Sequence, residues 1–301
     1  MASPPKALAY MKVCGFSFIR NGVKYDYPFE EAIRSILPLC DHVIIAVGKS
    51  DDDTLAKVMA IDPKIEVLQT EWDETQREGG RVLALETDKA FQAISNEYDW
   101  CFYIQGDEVV HEANYNSIRN AMERYKNDQE VEGLLFNYRH FFGSYDYVGA
   151  RYSWYRREIR IIRNNKSIYS YRDAQGFRIQ PNRKLRVKLI DAYIHHYGWV
   201  RKPDALQQKI DANEYIYQKR GNTGYQIEMN KAVYAYANAG EPVLRYAGTH
   251  PSVMRNRIEQ QNWPFEPDPS LHYASFKDLI KRTIFKLTGL FPGEYKNYRI
   301  I

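Results

Sequence analysis

Short apolar runs alternate with stretches of helical periodicity along the first 140 residues. The clearest run is Val43-Ile44-Ile45-Ala46-Val47, five apolar residues in a row, with Asp41 before it and a polar stretch, 48–54, behind it. A strand apolar on both faces is a strand covered on both faces, which is the habit of parallel sheets. Runs of the same kind fall at 11–18, 65–68, 100–104 and 133–138. Between them, Phe29, Ile33, Ile36 and Leu37 recur at helical spacing behind Pro28, which fits the first turn of a helix. Leu83, Ala90, Phe91 and Ile94 share one face of a second helix over 81–94, and Tyr115, Ile118, Met122 and Tyr125 share one face of a third. Strand and helix in alternation predict an α/β chain with a mainly parallel, twisted central sheet and right-handed crossovers. Ligands of such sheets bind beyond the carboxyl ends of the strands. Those ends are polar here: Arg20-Asn21, residues 48–54, and Gln105-Gly106-Asp107-Glu108.

The remaining bulk properties exclude more than they assign. The 301 residues suffice for one large domain with an extension. A net charge of +4 suits an anionic ligand or a membrane surface and is too weak to indicate nucleic acid. Cys14, Cys40 and Cys101 sit inside apolar runs, as buried thiols do, with no metal or disulfide spacing. The 25 tyrosines suit either a wet cleft or an aromatic-rich core. The first residues lack the apolar centre of a signal peptide, and no apolar run is long enough for a bilayer. A cytoplasmic location is expected, with contact at the inner face of a membrane as the variant.

After about residue 140 the texture changes to Tyr- and Arg-rich strand patterns. Helices are expected from Asp204 to about Arg220 and from Tyr225 to about Ala239. A last one, from Ser275 as N-cap to Gly289, carries Ile280, Ile284 and Leu287 on one face and Lys277, Lys281, Arg282 and Lys286 around it. It fits either a membrane-surface helix or a terminal helix docked on the domain.

The strand end Gly106-Asp107-Glu108 is the strongest chemical feature. An apolar strand that delivers adjacent carboxylates to a sheet edge fits a divalent-cation site, since hard cations take oxygen ligands and bridge phosphates; it also fits a solvated acidic turn. Gly106 leaves room for a ligand to approach the backbone. Three places together resemble family 2 glycosyltransferases of the GT-A fold, bacterial type. Phe18-Ile19-Arg20-Asn21-Gly22 resembles the end of that family's first strand. Residues 44–54 resemble its second strand and loop, and Trp100 to Glu108 the strand that ends in Asp-x-Asp-Glu. Two positions depart from the family: Val47 stands where a base-recognising Asp is usual, and Gln105 replaces the first Asp of Asp-x-Asp.

The resemblance implies a GT-A domain over 1–240, with a nucleotide-sugar half to about 140, an acceptor half over 141–240, and a helical extension over 241–301. It implies that Asp107 holds Mn²⁺ or Mg²⁺ on the donor diphosphate and that Glu108 supports the metal or the sugar. Ser17, Ile19, Arg20, Val47, Asp52, Gln105 and Gly106 would line the nucleotide-sugar pocket, with Arg81 at a basic helix start. His196, of the pair His195-His196, is expected as a further metal ligand, with His250 as a weaker candidate. Lys209 is expected to face the diphosphate. Asp173 is expected as the general base of an inverting transfer, with Glu158 as the alternative. Trp154, Tyr155, Trp199 and Trp263 could stack on sugars. The implied activity is sugar transfer from a nucleotide sugar to a glycan or lipid-linked acceptor, as in cell-envelope polysaccharide synthesis. A non-catalytic nucleotide- or sugar-binding protein and a nucleotidyltransferase are the other readings; oligomeric state is left open.

Overall fold

The computed structural model describes residues 10–151, 153–217, 233–268, 271, 276–288 and 293–301. In chain order the elements begin β1 (Val13–Ile19), α1 (Phe29–Ile36), β2 (His42–Gly48), α2 (Thr54–Met59), β3 (Ile65–Thr70), α3 (Arg81–Ala93), β4 (Trp100–Tyr103) and β5 (Glu108–Val110). They continue with α4 (Tyr115–Tyr125), β6 (Gly133–Phe142), β7 (Ser144–Gly149), β8 (Arg157–Arg163), β9 (Ile168–Tyr171), β10 (Gly176–Ile179) and β11 (Arg183–Trp199). The last are α5 (Pro203–Tyr217), β12 (Val243–Arg245), α6 (Arg255–Glu259), α7 (Phe276–Thr288) and β13 (Tyr298–Ile300).

The main sheet runs β3-β2-β1-β4-β8-β6-β11-β10-β9. The first four strands are mutually parallel, as the apolar runs predict. Alternate residues explain why both faces must be covered. Val43, Ile45 and Val47 point to a core shared with α1, α2 and α4 through Phe29, Ile33, Val58, Ile118 and Met122. Ile44 and Ala46 point to the opposite core, filled by Ala90 and Phe91 of α3 and by Phe177 of β10. Each large apolar side chain sealed in this way stabilises the fold by about 1.5–3 kcal/mol.

The second half departs from a parallel sheet. β8 lies antiparallel between β4 and β6, while β6 and β11 pair in parallel. β5, which the apolar pattern did not announce, pairs antiparallel with β11. The helical extension expected over 241–301 also carries two strands: β12 joins β7, and β13 joins β11. Ser275, Gly289 and most of the helix expected from Tyr225 lie outside the described residues; Tyr236–Ala239 forms one 3₁₀ turn. The three cysteines are free and buried, as expected. Among the described residues, no helix is long and apolar enough to cross a membrane.

Candidate active site

Strand order locates the site. From β1 the chain builds outward through β2 and β3, then returns to place β4 on the other side of β1. The connections leave β1 and β4 in opposite directions, and this opens a crevice at their carboxyl ends. A cavity of about 380 Å³ lies there. Ile19 and Arg20 from the end of β1, and Gln105, Gly106 and Asp107 from the end of β4, form part of its wall. Lys209 of α5 and Asp173 of the β9–β10 loop face them. The size suits a small organic ligand.

The cavity wall is aromatic and charged. Arg20 lies over the Trp72 ring at 5.2 Å and reaches Glu74 at 3.4 Å. Arg77 lies 4.4 Å from the centre of the Tyr215 ring. The Tyr217 hydroxyl donates to Asp173 Oδ2 at 3.0 Å. Asp173 stands between two residues in the left-handed region, Arg172 (φ 58°) and Ala174 (φ 65°). Such backbone costs about 1–3 kcal/mol per residue and gathers at sites where geometry matters. Gly80 (φ 77°) lets Asp173 and Tyr217 close in, since a Cβ there would lie 2.8 Å from Asp173 Cβ and 2.9 Å from the Tyr217 ring.

Asp107 is the focus of the charge. The Tyr197 amide donates to the Asp107 carbonyl at 2.8 Å, and β5 pairs Glu108 with His196. This register brings the imidazole of β11 beside the carboxylate. Around Asp107 Oδ2 stand Lys209 Nζ at 3.1 Å, His196 Nε2 at 3.8 Å and Arg201 at 3.9 Å. Lys209 also donates to the Gly198 carbonyl at 2.8 Å. Burial works against the Asp107 charge, but Lys209, His196 and Arg201 outweigh it and hold the carboxyl well below the usual carboxylate range. Burial, reinforced by Arg201 and opposed by Asp107, pushes the Lys209 ammonium down to about 8.

The donor set fits one divalent cation. A carboxylate oxygen and an imidazole nitrogen suit Mn²⁺ or Mg²⁺, with phosphate oxygens and water completing the shell. Gly198 keeps the gap open: a Cβ there would lie 2.7 Å from His196 Nε2 and 2.8 Å from Asp107 Oδ2. Among the described residues, no three His, Cys, Asp or Glu side chains gather as a metal cage.

Several expected residues stand elsewhere. Glu108 is sealed away from the cavity at 0% exposure. Arg160 grips both its oxygens at 2.7 Å, Tyr138 donates at 2.8 Å, and the Gln105 amide donates at 3.2 Å. Its part is to brace the strand end, not to meet a metal or sugar. Val47 is buried in the core, where its alternation on β2 puts it. Ser17 is buried and donates to the Ile104 carbonyl, tying β1 to β4. Asp52 accepts from the Thr54 and Lys24 amides, holding two turns together. Arg81 is exposed at the start of α3, and Arg77, one turn earlier, faces the cavity instead. Glu158 is buried, bound by Gln175 at 2.9 Å and pushed up to about 8 by burial, so it is a poor base at neutral pH.

His195 and His196 point to opposite faces, as a regular strand requires. His195 meets Tyr246 at 3.1 Å and Arg139 at 3.3 Å, while His250 meets the Tyr197 hydroxyl at 2.8 Å; both belong to an aromatic cluster apart from the cavity. Trp154 and Trp199 pack with Phe142, and Trp263 donates to the Gly143 carbonyl, while Tyr155 does line the cavity. Tyr27, Trp72, Glu74, Arg77, Tyr215 and Tyr217 were not anticipated from the sequence. Only Arg77, four residues before Arg81, carried a usable signal there.

No protein-family model and no curated protein sequence matches this chain. Among solved structures, it resembles glucosyl-3-phosphoglycerate synthase from Mycobacterium tuberculosis in complex with Mn²⁺, uridine diphosphate and phosphoglyceric acid, at 17% identity, 44% of each chain and a TM-score of 0.31. It also resembles S. aureus TarS 1-349, at 11% identity, over 68% of this chain and 65% of that one, with a TM-score of 0.35. The chain thus spans under two thirds of either, and likeness at these scores assigns no function to it.

Proposed function

We propose that this chain is a GT-A glycosyltransferase that moves a sugar from a nucleotide-sugar donor to a glycan or lipid-linked acceptor. The observation that carries the reading is the cavity at the β1–β4 switch point, with Asp107, Arg20, Arg77 and Lys209 on its wall and His196 behind Asp107 at 3.8 Å. Residues up to about 140 form the donor half, 141–240 the acceptor half, and 241–301 an extension.

Asp107 and His196 would hold Mn²⁺ or Mg²⁺, which when bound supplies positive charge to the departing diphosphate. Lys209, paired with Asp107, adds a second cation at that end. Arg77 and Tyr215 form a platform for the nucleoside, and Arg20 with Trp72 a second. In an inverting transfer the acceptor oxygen bonds to the anomeric carbon as the bond from that carbon to the diphosphate oxygen breaks. The bond's electron pair leaves on the diphosphate. Asp173 takes the acceptor proton, and Tyr217 holds the carboxylate in place.

Thermal shift with Mn²⁺, with uridine or guanosine diphosphate, and with both together tests the donor site. Both together are expected to stabilise the protein by about 2.7 kcal/mol at a hundred times the dissociation constant, and either alone by less. No shift with any nucleoside diphosphate and any divalent metal contradicts the reading. Lys209, already a cation on Asp107 Oδ2, favours a second reading in which the diphosphate is held without metal. An equal shift in EDTA selects it.

α7 supports contact with an anionic membrane surface. Ile280, Ile284 and Leu287 fall at one helical face and are 46%, 36% and 81% exposed. The same helix carries four basic residues and one acidic, Asp278. Co-sedimentation with phosphatidylglycerol vesicles is expected for the wild type and lost, or reduced at least several-fold, in Ile284→Glu/Leu287→Glu. Equal sedimentation of both proteins refutes the contact.

A further inference from the structure

One histidine beside the site has no part in the chemistry above. His140 of β6 lies in register with His196 on the neighbouring parallel strand β11, so the two rings meet on one face of the sheet. Their Nδ1 atoms are 3.0 Å apart, and His140 Nε2 lies 2.6 Å from the Tyr155 carbonyl. A carbonyl oxygen only accepts, so His140 Nε2 must carry a proton and donate it. In a neutral His140 the remaining Nδ1 is a lone pair, which accepts from His196 Nδ1–H. The same bookkeeping leaves His196 Nε2 without a proton.

We propose that His140 is a positioning residue that fixes His196 in the tautomer whose bare Nε2 faces Asp107, preparing the pair to take a divalent cation. This rests on the cation reading given above. Lys209 and Arg201 already offset the Asp107 charge; the bare His196 Nε2 across 3.8 Å adds a lone pair beside the carboxylate, and Gly198 leaves the gap between them clear for a cation. The opposite arrangement, a proton on His196 Nε2, gains little, because 3.8 Å is too long for a hydrogen bond to Asp107.

The His140 ring is held tightly enough for this work. It stacks on Trp154 at 4.8 Å and on Tyr138 at 5.4 Å, and Tyr155 meets it edge-on at 4.4 Å. Outer partners of this kind orient metal-binding histidines generally, and their loss weakens binding about 10–100-fold.

Two measurements test it. Long-range ¹H–¹⁵N correlation spectra of the EDTA-treated protein report tautomers without metal; His196 is expected protonated at Nδ1. Mn²⁺ titration by electron paramagnetic resonance, with uridine diphosphate present, reads affinity. His140→Phe keeps a ring for the stack but removes the hydrogen bond, and a loss of about 10–100-fold is expected. His140→Asn, whose amide oxygen takes the place of Nδ1, is expected to recover most of it. A His196 protonated at Nε2, or a Phe variant that binds Mn²⁺ as the wild type does, overturns the relay and leaves the cation site standing. A wild type that binds no Mn²⁺ overturns both. If the Phe variant does not fold, the spectra of the wild type and the affinity of the Asn variant still decide the matter.

Discussion

Arg160→Met is expected to destabilise the protein by about 3–5 kcal/mol, the usual loss when one member of a buried ion pair is removed. Arg160 and Glu108 are both fully buried, and two short hydrogen bonds join them. Removing the guanidinium leaves a carboxylate among Tyr138, Tyr103 and Tyr155 with no countercharge. The neutral double variant Arg160→Met/Glu108→Gln is expected to regain much of the loss, because pairing compensates burial without greatly exceeding it. Urea unfolding of the three proteins reads the difference. A single variant within about 1 kcal/mol of the wild type contradicts the bracing role given to Glu108. The Gln105 amide also rests on Glu108, so the strand end that carries Asp107 should loosen in the same variant.

Asp107→Asn is expected to lower sugar transfer by about a hundred- to a thousandfold, the scale on which a single preorganised electrostatic group acts. The substitution keeps the shape and removes the charge. Two cations, Lys209 and Arg201, then lose their common partner, and the His196 imidazole loses the charge beside it. Metal affinity should fall with the turnover, while nucleoside stacking on Arg77 and Tyr215 remains. A fall in the thermal midpoint is expected as well, since Arg201 is wholly buried. The two effects separate in binding experiments: uridine alone should bind both proteins alike, whereas Mn²⁺ with uridine diphosphate should favour the wild type.

The sequence made the parallel half of the fold legible because each strand there is sealed on both faces. Val43 to Val47 must find cover above and below, and only a sheet between helices provides it. β5 escaped notice for the opposite reason. It is three residues long and begins with Glu108, whose burial depends on Arg160, a partner 52 residues away. An acid beside Asp107 therefore read as a support for the metal or the sugar. The resemblance also misplaced Val47 and Asp52. One faces the core by strand alternation, and the other is used up by the amides of its own turn and of Lys24.

Arg81 illustrates a different failure. Gly79 and Gly80, both at positive φ, re-aim the chain just before α3, and Arg77 is turned into the cavity while Arg81 stays outside. His196 and Lys209 were accessible by contrast. Strand alternation put His195 and His196 on opposite faces, the resemblance selected His196 and Lys209, and both stand beside Asp107. Asp173 lies on the cavity wall, yet nothing in its sequence neighbourhood distinguished it from other acids among arginines. The aromatic wall of Trp72, Tyr215 and Tyr217 comes from segments about 140 residues apart, and no local pattern joins them.

The central claim, a metal-assisted sugar transferase built on Asp107, meets its most direct test in nucleotide-sugar hydrolysis. A panel of uridine and guanosine diphosphate sugars, assayed in Mn²⁺ and in EDTA, should show release of nucleoside diphosphate from at least one donor. That release should require the metal and should fall at least a hundredfold in Asp107→Asn. Equal hydrolysis by the wild type and Asp107→Asn, or none with any donor and metal despite tight nucleotide binding, contradicts the account.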